Sequence, residues 1–351
     1  MSTHPHASAL SAPDLSDAAF LRAVAGIRPC REGGLRLEPE TLGEKTLIHN
    51  YGHGGCGVTL APGCAERVAN LIDELSPARH VAVLGSGVTA LFTAYELVRR
   101  GRAVTLYADR EPARTTSVVA GALWLPTGLD FPPPGPARDD LNAIASRSFD
   151  LYDHLAVDPV FAGLVETLPC FEPNRSEHEP ELFEAGVVAP PESIPPGQHT
   201  PPGGPFAGWF HTYFMHTPDL IGALDAQTRR LGARFHPTRF ASVDDIRALD
   251  EPVIVNCLAL ASGRLFGDDA VYPARGILVH MRPQPLGYVV HDGYRYLFPR
   301  RDALILGGTF EPGVDSTDVP QDTVRAIIDH HRDVFAGRAH EPSGASRALR
   351  R

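Results

Sequence analysis

Short runs of β-branched and aromatic residues alternate along the chain with longer stretches in which apolar residues recur every three or four positions, the two periods of strand and helix. The strand-like runs are Lys45 to His49, His80 to Leu84, Ala103 to Tyr107, Val253 to Asn256, Gly276 to Met281, Tyr296 to Phe298 and Ala303 to Leu306. The helix-like stretches are Gly63 to Leu75, Val88 to Arg100, Leu141 to Leu155 and Pro218 to Leu231. Pro218-Asp219 suits a helix start and Gly101, just past Arg99-Arg100, a helix stop. The mixture predicts an α/β fold. Residues 1 to 19, rich in Ser, Ala, Pro and His without periodicity, and the Gly-, Ser-, Ala- and Arg-rich residues 336 to 351 read as frayed, disordered tails. Proline has no backbone donor, so Phe131 to Pro136 and Pro190 to Pro205 read as surface loops or a lid.

Charge narrows the class of ligand. The 351 residues carry a formal net charge of −10, which argues against a nucleic-acid or anionic-membrane surface and for a small molecule. The five cysteines, Cys30, Cys56, Cys64, Cys170 and Cys257, form no CxxC pair, so no zinc site or disulfide framework is expected. With no signal-peptide pattern, no membrane-length apolar run and a terminal Ala348-Leu349-Arg350-Arg351 unlike a peroxisomal address, the expectation is a soluble, cytoplasmic protein.

The segment His80-Val81-Ala82-Val83-Leu84-Gly85-Ser86-Gly87-Val88-Thr89-Ala90 sets a buried-type strand directly before a Gly-x-Gly-x-x-Ala turn and a helix. Gly85 permits the tight turn, Gly87 lets the backbone approach a pyrophosphate, and Ala90 allows close helix–strand packing. The helix N-terminus offers amide donors and a positive dipole end to the phosphates. Downstream, Asp109 ends a second strand at the spacing suited to the ribose hydroxyls of an adenosine. The turn by itself does not separate NAD from FAD.

The rest of the chain separates them by resemblance. Asp109-Arg110, the run Thr115-Thr116-Ser117-Val118-Val119-Ala120-Gly121-Ala122-Leu123-Trp124, Gly208-Trp209-Phe210-His211-Thr212, Val253-Ile254-Val255-Asn256-Cys257, Arg275-Gly276 and Leu306-Gly307-Gly308-Thr309-Phe310 resemble, in order and spacing, the D-amino-acid oxidase and D-aspartate oxidase family. A member should continue into a Gly-x-Arg-Pro strand and a glycine-rich loop with a terminal helix. These stand at the other end, as Gly26-Ile27-Arg28-Pro29, Gly34-Leu35-Arg36-Leu37-Glu38 and His49-Asn50-Tyr51-Gly52-His53-Gly54-Gly55-Cys56-Gly57-Val58-Thr59, with a helix over Ala65 to Leu75. The resemblance therefore implies a circular permutation. The family's tail is joined through Ser76-Pro77-Ala78-Arg79 to its head, and the chain is opened between Arg338 and Ala19, which requires the original ends to have lain close together.

What the resemblance implies is an FAD-dependent oxidase with a Rossmann-like FAD-binding domain and a mixed or antiparallel-sheet substrate domain. Its expected parts are the permuted segment 20–75, an FAD-binding core over 80–130, mixed elements over 131–250, a return to the FAD-binding domain over 251–275 and the substrate domain over 276–335. FAD would be held by Gly85, Ser86, Gly87, Val88, Thr89, Asp109, Arg110, Thr115, Thr116, Ser117, Ala122, Leu123 and Phe240, and by Gly54, Gly55, Gly57, Val58 and Thr59 from the permuted segment. Arg28 becomes the clamp on an amino-acid carboxylate, a task suited to a planar guanidinium with two parallel donors. Tyr296 is its hydroxyl partner, with Tyr294 two residues away as an alternative on the same strand face, and the Gly55 carbonyl accepts from the substrate amine.

The implied reaction is oxidative deamination of a D-amino acid by hydride transfer, with oxygen as acceptor and hydrogen peroxide as product. A dehydrogenase or amine oxidase, and a flavin-binding protein without catalysis, remain alternatives, as does a homodimer. His53, His211 and His216 read as structural. The glycine-rich run Gly52 to Gly57 reads as backbone brought close to a ligand, and Cys56 as small-residue packing rather than a covalent flavin attachment. Leu258-Ala259 stand where the family has Thr-Gly, Leu125 and Thr127 replace polar and aromatic pocket positions, and Pro62 stands where an aromatic is common; these departures bear on FAD affinity and substrate identity.

Overall fold

The computed structural model describes residues 10–173, 192–194 and 199–338. One sheet runs in the order β2 (Arg36–Leu42), β3 (Lys45–Tyr51), β9 (Val253–Asn256), β4 (His80–Leu84), β5 (Ala103–Ala108), β8 (Arg234–Pro237). All its neighbours are parallel except β2 and β3. The central strands β9 and β4 are nearly continuous apolar runs because helices cover them. On one face Val81, Val83, Val253 and Val255 share a core with α1 (Gly57–Leu75) and α2 (Val88–Arg99), and on the other Ala82, Leu84 and Ile254 share one with the short helices α6 (Val243–Arg247) and α7 (Leu260–Phe266); further helices are α3 (Thr116–Val119), α4 (Pro136–Val157), which packs on α1, and α5 (Thr217–Arg230), which packs on α2.

The second sheet has the order β1 (Phe20–Arg31), β10 (Val271–Met281), β13 (Leu304–Leu306), β12 (Arg295–Pro299), β11 (Val289–Asp292), β6 (Val165–Glu172), β7 (Gly208–Met215), with β14 (Glu311–Pro312) also paired to β10. It is antiparallel except between β11 and β6. Helix α8 (Gln321–Phe335) packs on its outer face through Val324, Ile327 and Ile328, which join Ile277, Leu297 and Leu306 in one core.

The predicted strands and helices are all present, and the differences have identifiable causes. Helix α1 begins at Gly57 rather than Gly63, although it carries Pro62. That proline cannot donate to the Val58 carbonyl one turn back, and the buried Tyr152 hydroxyl donates to it instead, at 2.6 Å. The expected N-terminal tail is ordered over residues 10–19: Leu15 is buried, and the Ser11 carbonyl accepts from the Tyr288 hydroxyl at 2.8 Å. Neighbouring side chains hold this segment, not its own periodicity. Residues 1–9 and 339–351, and residues 190–191 and 195–198 of the second proline stretch, lie outside the described residues; Pro136 opens α4 at its first turn.

The joint between α1 and β4 is pinned from the side. Arg102 donates to the carbonyls of Ser76 and Ala78 and pairs with Asp73 at 2.6 Å. At the other end of the chain the Arg332 guanidinium donates to the Leu15 carbonyl at 2.7 and 3.0 Å and pairs with Asp17 at 2.7 Å. The start of β1 and the end of α8 are thus neighbours.

Candidate active site

A cavity of about 580 Å³ lies between the two sheets, and every residue named above as catalytic or cofactor-binding borders it. The parallel sheet supplies one side through the loops at the carboxyl ends of its strands, where ligands of open α/β sheets bind. From β4 come Gly85 to Thr89, from β5 Asp109 and Arg110, from β8 Thr238 to Phe240, from β9 Cys257 to Ala261, and from β3 the glycine loop.

The dinucleotide turn is tight for a backbone reason. Gly85 has φ of +113°, and a Cβ there would lie 2.6 Å from the Cys257 carbonyl. Gly87 has no such obstruction except the Ser117 hydroxyl at 3.3 Å, which accepts from the Val88 amide at 3.0 Å, so α3 braces the mouth of α2. Ser86 donates to the Arg110 carbonyl at 2.7 Å, and Asp109 pairs with Arg110 at 3.0 Å, an ion pair that holds the Asp109 carboxyl below its usual range. Phe240 and Arg264, whose guanidinium donates to the Phe240 and Ala241 carbonyls, enclose the same end.

The glycine loop is packed differently from expectation. A Cβ on Gly54 would stand 2.3 Å from the Gly128 carbonyl and one on Gly55 2.7 Å from the Thr127 carbonyl. The Gly55 amide donates to Gly128 at 2.8 Å. Those two glycines are therefore required by another stretch of backbone; Gly57, whose added Cβ would be 3.8 Å from its nearest neighbour, leaves room on the cavity side. Cys56 turns its thiol onto the Thr127 carbonyl at 3.0 Å, where burial raises its pKa and suppresses the thiolate that a covalent attachment would need. His53 borders the cavity, and burial lowers its pKa to about 4, so it is neutral. His216 accepts from the Arg301 amide at 3.2 Å, a structural role, while His211 is exposed and packs edge-on against Trp209.

The antiparallel sheet supplies the opposite side. Arg28 on β1 and Tyr296 on β12 are separated by two strands, β10 and β13, at roughly 4.8 Å per strand spacing. They meet because both intervening positions are glycines: the Arg28 guanidinium lies flat over Gly276, and the Tyr296 ring over Gly307. The Phe298 ring stacks on Tyr296 at 4.2 Å, and Gly121 lies against both rings, where a Cβ would come within 2.8 Å of Tyr296 and 2.7 Å of Phe298. Burial raises the Tyr296 pKa, and the nearby Arg28 charge and its hydrogen bond oppose that rise. Tyr294 also borders the cavity and stacks on Phe310 at 4.8 Å, with both rings within 6 Å of the Arg28 guanidinium carbon, so both tyrosines stand beside Arg28.

One contributor, Arg300, was not read from the sequence. Arg300, buried, donates to the carbonyls of Val118 and Ala120 at 3.0 and 2.9 Å, to Thr217 at 3.0 Å and to Asp302 at 2.6 Å, tying α3 to the β12–β13 turn. The Leu258-Ala259 departure also has a backbone price: Ala259 sits at φ 55°, ψ −121°, a conformation suited to glycine. Strain of roughly 1–3 kcal/mol there, less the extra chain entropy of glycine, predicts that Ala259→Gly stabilises the protein by about 1 kcal/mol. Urea unfolding of the two proteins checks this, and an unchanged or lower midpoint would refute the strain.

The arrangement fits an extended dinucleotide. Amide donors of a helix N-terminus, an acid after the second strand and several small residues line one cavity, which a guanidinium and two phenols also border. The model of a family described as FAD dependent oxidoreductase matches residues 3–71 and 80–350. A D-amino-acid oxidase of Streptomyces coelicolor is 34% identical over 255 residues, 71% of this chain and 75% of that protein. One from Rubrobacter xylanophilus is 30% identical over 256 residues, 70% and 74%. In fold, a glycine oxidase from Bacillus cereus superposes with a TM-score of 0.55 at 17% identity, covering 74% of this chain and 79% of that one. Among the described residues no helix is long and apolar enough to cross a membrane.

Proposed function

Because this chain belongs to the family of FAD dependent oxidoreductases and is FAD-dependent as they are, we propose that it oxidises a D-amino acid to the imino acid, which hydrolyses to a 2-oxo acid and ammonia, with oxygen reduced to hydrogen peroxide. The observation that carries this reading is the meeting of Arg28 and Tyr296 across Gly276 and Gly307, on the border of the same cavity as the dinucleotide turn. When bound, FAD supplies the acceptor for the hydride from the substrate α-carbon. The protein's part is positioning. Arg28 takes the carboxylate through two parallel donors, Tyr296 adds a hydroxyl, and the Gly55 carbonyl receives the amine, which turns the α-hydrogen toward the ring. The D configuration is supported by the relatives, which are named for D-amino acids.

The circular permutation belongs to the same reading. The two matched segments part at residues 71 and 80, around the joint pinned by Arg102, and Arg332 bridges to Leu15 and Asp17 where the family's continuous chain would cross.

The test is anaerobic. D- and L-amino acids are added to the FAD-loaded protein and bleaching of the visible flavin band is followed, then peroxide is measured in air. Bleaching by D-amino acids with peroxide release is expected; no bleaching by any amino acid overturns the proposal. Replacing Arg28 by Ala should lower kcat/KM by roughly tenfold to a hundredfold, about 1.5–3 kcal/mol for a charged hydrogen bond. An unchanged value would remove Arg28 from the site.

A further inference from the structure

Resting on that reading of Arg28, we propose that Thr309, Glu311 and Arg275 form a positioning network that sets the guanidinium of Arg28 for carboxylate binding. Arg28 Nη1 donates to the Thr309 carbonyl at 3.1 Å, so that peptide fixes one edge of the clamp. The Thr309 side chain in turn fixes the peptide. Its hydroxyl accepts from the Ile277 amide at 3.1 Å and donates to Glu311 Oε1 at 2.6 Å. The other oxygen of Glu311 receives Arg275 through Nε and Nη2 at 3.1 and 2.5 Å, and Arg275 Nη1 donates to the Asp318 carbonyl at 3.0 Å. Arg275 and Glu311 face each other across the β10–β14 pair, which anchors the network to the strand that carries Gly276.

Segment 307–311 serves several site side chains at once: Gly307 lies under Tyr296, Thr309 holds Arg28, and Phe310 stacks on Tyr294. A guanidinium on a flexible stem binds a carboxylate well only if its plane is fixed beforehand, since otherwise binding must order it. Thr309, Glu311 and Arg275 supply that order without touching the substrate.

The measurement is steady-state kinetics of the FAD-loaded enzyme with D-alanine, whose small side chain isolates the carboxylate and amine contacts, or, if D-alanine does not reduce the protein, with the amino acid that does. Thr309→Val should raise KM roughly tenfold while kcat changes by less than about twofold, the mark of lost uniform binding. Thr309→Ser, which keeps the hydroxyl, should restore the native KM. Flavin content and thermal midpoint are measured alongside; if Thr309→Val does not fold, Glu311→Gln takes its place, with a KM increase of about threefold expected. An unchanged KM in the folded variant, or a Ser variant as poor as the Val variant, overturns the network. If Arg28→Ala is itself without effect, or no amino acid reduces the protein, the reading of the site fails and this inference with it; if Arg28→Ala is impaired and Thr309→Val is not, only the inference fails.

Discussion

Alanine at position 276 is expected to lower kcat/KM about a hundredfold while leaving the thermal midpoint nearly unchanged. A Cβ on Gly276 would lie 2.2 Å from Arg28 Nη1 and 2.7 Å from Cζ and Nη2, closer than any real contact. The obstructed atoms are the far end of a long side chain, so the conflict is relieved by swinging the guanidinium aside rather than by moving strands. The fold is spared and the guanidinium displaced, and in the proposed role of Arg28 a displacement of about 1 Å is enough for a loss of this size. Kinetics together with differential scanning fluorimetry check the split. Native kinetics would show that Arg28 need not lie over Gly276, and a collapsed midpoint would show that the glycine serves the sheet instead.

Replacing Arg300 by Ala should destabilise the protein by about 3 kcal/mol, the scale of removing one member of a buried charged group and leaving its partners unsatisfied. Arg300 is 2% exposed, and the carbonyls of Val118 and Ala120 and the Thr217 hydroxyl would lose their charged donor together. Asp302, whose side chain is 41% exposed, can rehydrate and adds less. Because those carbonyls close α3, whose Ser117 hydroxyl receives the Val88 amide, flavin retention should fall with stability. Urea midpoints with and without added FAD measure both effects. A variant less than about 1 kcal/mol below the native protein would reduce Arg300 to a surface contact in energetic terms.

How much could be read in advance follows from where each signal lies. The strand, turn and helix over His80 to Arg99 were legible because every cue is local: an apolar run, two glycines at fixed spacing and a helical period. Strand β1 had no such local cue and was reached only through the resemblance at Gly26 to Pro29, since Arg22, Gly26, Arg28 and Pro29 break any alternation and the strand is held by pairing with β10 from Phe20 to Arg31. Helix α8 did carry a local signal, Val324, Ile327, Ile328, His331 and Val334 at helical spacing, yet it is missing from the helix-like stretches read above, and the expected tail begins only after it, at residue 336.

Composition, periodicity and motif spacing determined the class of fold and the dinucleotide turn, because each depends on neighbours within a few positions, and the other residues that border the cavity were reached through the family resemblance. Tertiary structure alone decided what the glycines are for. Gly54 and Gly55 yield to the backbone of Thr127 and Gly128, and Gly276 and Gly307 yield to Arg28 and Tyr296. Whether two side chains on strands β1 and β12 can meet depends on the register of the two strands between them and on atoms missing from both, and no local spacing in the chain encodes a distance across a sheet.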